Sequence, residues 1–292
     1  MDLRTVVAYA LMCAIWGTTW LAIKVGLQGL PPMTGVGVRF TVAALFLWAL
    51  SRFVPGPRGP AAPWPVVVTL AATLFGANYA LTYYAETGLS SGLAAVLFGT
   101  FPFFVFAFGA LMLHERVRLG AVTGAALALA GVATISLGPD AHGALPFVLA
   151  QLAAACASAY ANISLKKVAS SDPFRTLPPA MLLAGVTLSF AGLLFEHPDW
   201  RRGGSPGSIA AVLYLAVIGS GVAFYLNHWL LQRLSAATVG LSSLIIPVIA
   251  VAVGALFGGE AFGVRDLAGA ALVIAGIWLA LRSSPQVRAA AT

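Results

Sequence analysis

Residues 89–137 read LSSGLAAVLFGTFPFFVFAFGALMLHERVRLGAVTGAALALAGVATISL, and residues 234–282 read LSAATVGLSSLIIPVIAVAVGALFGGEAFGVRDLAGAALVIAGIWLALR. Laid over one another at an offset of 145 they agree at 14 of 49 positions without a gap. The shared positions include Ser90 with Ser235, Pro102 with Pro247, Gly109 with Gly254, Glu115 with Glu260, Gly124 with Gly269 and Gly131 with Gly276. Agreement at residues with distinct backbone roles, and not only at Ala and Leu, marks an internal repeat.

The repeat is a membrane unit. The chain is 60% hydrophobic and 9% charged, with a mean hydropathy of +0.93, far outside the range of soluble domains. A helix needs roughly 20 apolar residues to cross about 30 Å of hydrocarbon. Ten runs meet that length: 5–25, 33–53, 64–84, 90–113, 117–137, 145–165, 177–195, 208–230, 237–257 and 264–282. None alternates polar and apolar residues as a barrel strand does. The expected fold is therefore all-α, ten transmembrane helices arranged as five plus five. Residues 1–138 form one repeat, 139–144 a linker and 145–292 the second repeat with a short tail. Five is odd, so the second repeat is inverted in the bilayer relative to the first. Run 1 follows Arg4 as a signal peptide would, but it is span-length and opens a repeated unit, so it is expected to be retained. Cys13 and Cys156 fall inside runs and read as small buried hydrophobes.

With the N-terminus inside, the inner segments hold Arg4, Arg52, Arg58, Arg116, Arg118, Lys166, Lys167, Arg175, Arg233, Arg282 and Arg288. The outer ones hold Lys24, Arg201, Arg202 and Arg265, a bias of 11 to 4. Both termini are expected on the cytoplasmic side of a cell membrane, and the net charge of +7 is that bias. The basic residues are scattered over small loops, which excludes a nucleic-acid face.

The cluster Trp16-Gly17-Thr18-Thr19-Trp20 with Lys24 behind it resembles the opening of the EamA family in the drug/metabolite transporter superfamily. Arg39-Phe40, the mid-run Pro102 and Pro247, and the Glu115 and Glu260 that precede Gly-rich runs 5 and 10 carry the same resemblance over nearly the whole chain. It implies a ten-helix transporter with an inverted repeat, in a family that includes exporters of amino acids, among them YddG-type aromatic amino acid exporters. Tyr160-Ala161 stands where Trp16-Gly17 would repeat, so the halves are not chemically equivalent.

Inside the runs, polar and aromatic residues fall into stripes. Trp16 and Trp20 share a face of run 1 with Thr19 beside them; Tyr79 and Tyr83 share one in run 3, flanked by Asn78; Tyr225, His228 and Trp229 share one in run 8; Tyr160 and Ser164 share one in run 6. These residues, with Phe98 and Ser243 whose carbonyls Pro102 and Pro247 release, are the candidate substrate-binding set. Pro102 and Pro247, at matching places, are candidate hinges. Trp64, Trp200 and Trp278 read as interfacial aromatics. His228 is either a packed, hydrogen-bonded histidine or a substrate or proton site.

No Asp or Glu lies near the middle of a run, which argues against a mid-membrane carboxylate for proton coupling or for drug cations; Glu86 is among those read as lying at a run end. Arg39, two turns inside the outer face, reads as a structural charge bonded to neighbouring carbonyls, and Lys24 as reaching out to the surface. Glu115 and Glu260 read as structural charges favouring the N-termini of runs 5 and 10. The glycines of those runs read as scaffold or dimer packing, so a homodimer is one expectation. No metal site and no cofactor is implied. The expected activity is alternating-access movement of a small neutral or zwitterionic metabolite, best an aromatic or large apolar amino acid. Proton-driven export of other amphipathic metabolites is the alternative, and a membrane-embedded enzyme a remote one.

Overall fold

The computed structural model describes residues 2–54, 59–113, 119–136, 141–166, 168, 170–234, 239 and 242–282. They are helical with short connections, and no strand occurs among them. The helices are α1 (Leu3–Gly26), α2 (Pro32–Ser51), α3 (Trp64–Gly88), α4a (Ser91–Phe98), α4b (Phe101–Leu113), α5 (Leu119–Ser136), α6 (Ala141–Lys166) and α7 (Pro173–Phe195). A four-residue turn of helix, Trp200–Gly203, precedes α8, which runs through Pro206–Leu213, Tyr214–Val222 and Ala223–Leu231. α9 (Ser242–Phe257) and α10 (Val264–Arg282) complete the set.

By length and composition, seven stretches among the described residues can cross a membrane: α1, α2, α3, Ser91–Met112 across α4a and α4b, and Ala144–Leu165, Pro173–Phe195 and Pro206–Leu230 within α6 to α8. α5, α9 and α10 border residues outside the described set. α6 starts at Ala141, inside the expected 139–144 linker, and α7 starts at Pro173, not at 177. Asp172 accepts from the Phe174 amide and Pro173 fills the first helical position, so a well-capped start carries the helix through Pro178 and Pro179.

Two features follow the 145-residue offset. α3 is π-helical over Leu70–Ala77 and α8 over Tyr214–Val222, and the offset carries the second onto 69–77. The second feature is the contact of α5 with α10. A Cβ on Gly131 would lie 2.6 Å from the Gly269 carbonyl oxygen and 2.8 Å from the Val273 nitrogen. A Cβ on Gly276 would lie 2.5 Å from the Gly124 oxygen and 2.6 Å from the Ala128 nitrogen. Each pair is the other shifted by 145. Partner numbers fall on α10 as they rise on α5, so the two helices run antiparallel, backbone against backbone. These glycines serve packing within one chain. α7 meets α2 in a similar way: a Cβ on Gly185 would lie 2.6 Å from the Thr41 nitrogen.

The two prolines behave differently. Ahead of Pro102 the helix breaks at Gly99 and Thr100, so Pro102 stands in the first turn of α4b, where its missing amide donor leaves no gap. Thr100 Oγ1 donates to the Leu97 carbonyl at 2.7 Å across the break. Pro247 stays inside a continuous α9. The core around Phe40, Phe75, Leu47 and Met181 joins α2, α3 and α7. Large apolar side chains such as Leu149, Phe190 and Phe195 are exposed on the outside, as lipid-facing surfaces require.

Candidate transport cavity

The polar and aromatic side chains converge on one cavity of about 180 Å³ between the two halves. α1 presents Trp16, Thr19 and Trp20, α3 presents Asn78, Tyr79 and Thr82, and Phe98 closes α4a. From the other half come Ser158 and Asn162 of α6, Phe224, Asn227 and His228 of α8, and Ser242, Ile246 and Pro247 of α9. In both halves the wall-forming turn follows directly on the π-helical segment, whose altered hydrogen bonding re-aims the residues after it.

The rings form two groups. Trp16 meets Phe224 edge-on at 5.6 Å, and Tyr79 lies 4.8 Å from Phe40 and 6.4 Å from Phe224; Trp20 lies 5.7 Å from Phe98, which stacks on Phe101 at 6.0 Å. Such pairs contribute about 0.5–1.5 kcal/mol each beyond area burial. Arg39 stands behind Tyr79. It is 1% exposed, its guanidinium carbon lies 4.5 Å over the Tyr79 ring, Nε donates to Ser220 Oγ at 2.9 Å and Nη1 donates to Tyr83 Oη at 3.3 Å. Hydroxyls and a ring, and not carbonyls as expected, satisfy this charge.

Three wall residues carry a buried polar atom that has no hydrogen-bond partner among the described residues: Trp16 Nε1, Asn78 Oδ1 and His228 Nδ1. Asn78 Nδ2 is already used, donating to the Leu74 carbonyl at 3.1 Å. His228 Nε2 lies 2.9 Å from the Ser171 carbonyl oxygen, which can only accept, so Nε2 carries hydrogen and the neutral ring offers Nδ1 as an acceptor. One donor and two acceptors thus stand on a wall otherwise built from rings and aliphatic groups. Among the described residues no Asp, Glu, Lys or Arg lines it.

The structure brings together Trp16, Thr19, Trp20, Asn78, Tyr79, Phe98 and His228 from the sequence-derived set, with Pro247. It places the others elsewhere. Tyr83 turns to Arg39; Tyr160 packs on Phe108 at 5.6 Å, and Ser164 donates to the Tyr160 carbonyl at 3.0 Å; Tyr225 lies 5.1 Å from Phe174; Trp229 carries Arg233 over its ring at 3.8 Å. Pro102 is buried away from the wall. The Ser243 side chain, Ser235 and Glu115 lie outside the described residues. Thr82, Ser158, Asn162, Asn227 and Ser242 are wall residues outside that set, and each lies within two residues of one in it.

Two further charges differ from expectation. Glu260 does not serve the N-terminus of α10. Its Oε1 accepts from the Ser91 amide at 2.7 Å and Oε2 from the Gly92 amide at 3.3 Å, capping α4a together with Ser90. Asp266 instead serves the start of α10, accepting from the Gly263 amide at 2.9 Å. Lys24 does not reach for the surface: Nζ donates to the carbonyls of Glu86 at 2.8 Å and Leu89 at 2.6 Å, closing the last turn of α3.

Apolar helices long enough to cross a membrane, packed around a ring-walled cavity, carry the sequence pattern of an integral membrane transporter and not of an enzyme. The chain belongs to the EamA-like transporter family, whose sequence pattern matches residues 3–137 and again 145–282. It is 30% identical over 288 residues to the protein PagO of Salmonella typhimurium, covering 94% of this chain and 92% of that one. It is 29% identical over 281 residues to the "Probable amino-acid metabolite efflux pump" of the same organism, covering 92% of each. The inner membrane transporter YedA of Escherichia coli K12 is 29% identical over 252 residues, 84% of this chain and 80% of its own. A crystal structure of a protein with 22% identity superposes with a TM-score of 0.71 over 99% of both chains, a likeness of fold.

Proposed function

We propose that this chain is a ten-span transporter of the bacterial inner membrane that moves aromatic or large apolar amino acids by alternating access. Its two inverted five-helix repeats, 1–138 and 145–292, rock around the cavity, and both termini lie in the cytoplasm. One observation carries the cargo class: the wall combines rings from both halves with three unpartnered polar atoms and no full charge among the described residues. A zwitterion with an apolar side chain fits such a wall. Trp16 Nε1 suits its carboxylate, and Asn78 Oδ1 and His228 Nδ1 suit its ammonium. A cargo with net charge would leave that charge unpaired at a cost of several kcal/mol. The volume lies below the roughly 300–1,000 Å³ of sites for drug-sized ligands, which favours a small metabolite. The reciprocal antiparallel contact of α5 with α10 supports the inverted repeat. Export is supported by the name of the efflux-pump relative.

The test is counterflow in proteoliposomes. A panel of labelled amino acids exchanged with and without a pH gradient should show phenylalanine, tryptophan and leucine exchanging well above glutamate, lysine and glycine. Preference for a charged amino acid, or exchange of none, sinks the assignment.

A further inference from the structure

Glu86 is 0% exposed, and neither of its carboxylate oxygens has a hydrogen-bond partner among the described residues. It stands on the cavity stripe of α3, with Tyr79 and Thr82 seven and four residues before it. Both of those line the cavity; Glu86 is one turn beyond. The groups that act on it electrostatically are Lys24 of α1, Arg39 of α2, Tyr83 of its own helix and Glu260 of the segment before α10. None is bonded to its carboxylate. Lys24 Nζ donates to two backbone carbonyls, Glu260 accepts from the amides of Ser91 and Gly92, and Arg39 donates to Ser220 and Tyr83. α6 packs here with Phe147 against Gly88 and Gln151 Nε2 3.5 Å from Thr82 Oγ1, and neither side chain titrates. An ionised carboxylate enclosed without a donor is far costlier than the neutral acid.

Resting on the reading of the chain as an alternating-access transporter, we propose that Glu86 is the proton-binding residue that couples cargo movement to proton movement. With both ends of the bundle closed the carboxyl holds its proton. When the cavity opens at the end opposite Gly26, water reaches Glu86 past Thr82, the carboxyl O–H bond breaks, that water leaves with the proton as hydronium, and the carboxylate remains beside the ammonium of Lys24. When α1 and α3 part at the Gly26 end instead, hydronium from the outer side reprotonates the carboxylate, leaving water and the neutral acid, so each cycle carries one proton inward as cargo moves out. A burial this complete at a span end, where water is otherwise near, is what makes the site switchable.

Two measurements test it. Infrared spectra of the protein in nanodiscs at neutral pH need no cargo. The wild type should show the carbonyl stretch of a protonated carboxylic acid that Glu86→Gln lacks, with circular dichroism and size exclusion showing that the variant is folded. In proteoliposomes, a pH gradient should drive phenylalanine accumulation by the wild type. Glu86→Gln should lose roughly tenfold of that response while keeping pH-independent counterflow. An acid band unchanged in Glu86→Gln, or a variant that follows the gradient as the wild type does, overturns the proposal. Should Glu86→Gln not fold, Glu86→Asp takes its place: a shifted acid band supports the assignment and an unshifted one overturns it. Absence of wild-type phenylalanine counterflow would overturn the cargo reading alone, since the infrared result still decides whether Glu86 holds a proton.

Discussion

Tyr79 serves two neighbours at once: its ring is cavity wall on one side and the seat of the Arg39 guanidinium on the other. Tyr79→Ala and His228→Ala should each lower amino acid counterflow about tenfold or more, the equivalent of about 1.4 kcal/mol. Trp200→Ala, at an exposed ring in a short surface turn, should leave it unchanged at equal expression. Arg39→Ala strands the buried Ser220 and Tyr83 hydroxyls and should cost about 1–3 kcal/mol of stability, read as a lower melting temperature in detergent. Arg39→Lys should not restore it, because an ammonium lacks the planar fork that bonds one hydroxyl on each side while lying flat on a ring. At this scale the sequence was partly legible. Trp16, Trp20, Tyr79 and His228 announce themselves as polar or aromatic interruptions of aliphatic helices. On α6 the wall is Ser158 and Asn162, spaced by four, whereas Tyr160 stands two residues from each, about 200° round the helix. A ring drew the eye where an amide does the lining. Glu86 was hidden for another reason: position along a span predicts distance from water, not enclosure by neighbours.

Backbone irregularity sets the cavity at the scale of elements. The matched π-helical segments have no plain signature in sequence, because they arise from how many residues each turn holds and not from side-chain type. The prolines were legible as a pair, but their difference was not. Pro102 sits in a first helical turn, while Pro247 costs a continuous helix roughly 3 kcal/mol relative to Ala. Pro247→Ala should therefore raise the melting temperature more than Pro102→Ala does, and should slow counterflow by straightening a helix beside the cargo. The glycines of α5 and α10 were legible as a packing face, and the structure supplies their partners. Gly131→Leu and Gly276→Leu should lower stability by similar amounts, at least about 1–3 kcal/mol, since each drives a side chain into the same backbone contact seen from opposite halves. Unequal losses in paired thermal melts would break that equivalence.

For the whole molecule, the duplication read from Pro, Glu and Gly spacing anticipates two halves meeting around a shared site, and the wall draws on α1, α3 and α4a from one half and α6, α8 and α9 from the other. The halves are not chemical copies: Tyr79 faces Phe224, and Thr82 corresponds to Asn227. An asymmetric wall can hold one end of a zwitterion differently from the other, which a strictly duplicated wall cannot do. The most direct check asks whether cargo occupies this cavity. In a chain carrying Cys13→Ser and Cys156→Ser, Asn162→Cys places a lone thiol on the wall for a water-soluble maleimide. Labelling should proceed in proteoliposomes and slow several-fold, roughly in proportion to occupancy, as phenylalanine is raised through its half-saturating concentration for counterflow. Labelling that ignores phenylalanine while counterflow continues would place the cargo elsewhere and contradict the account.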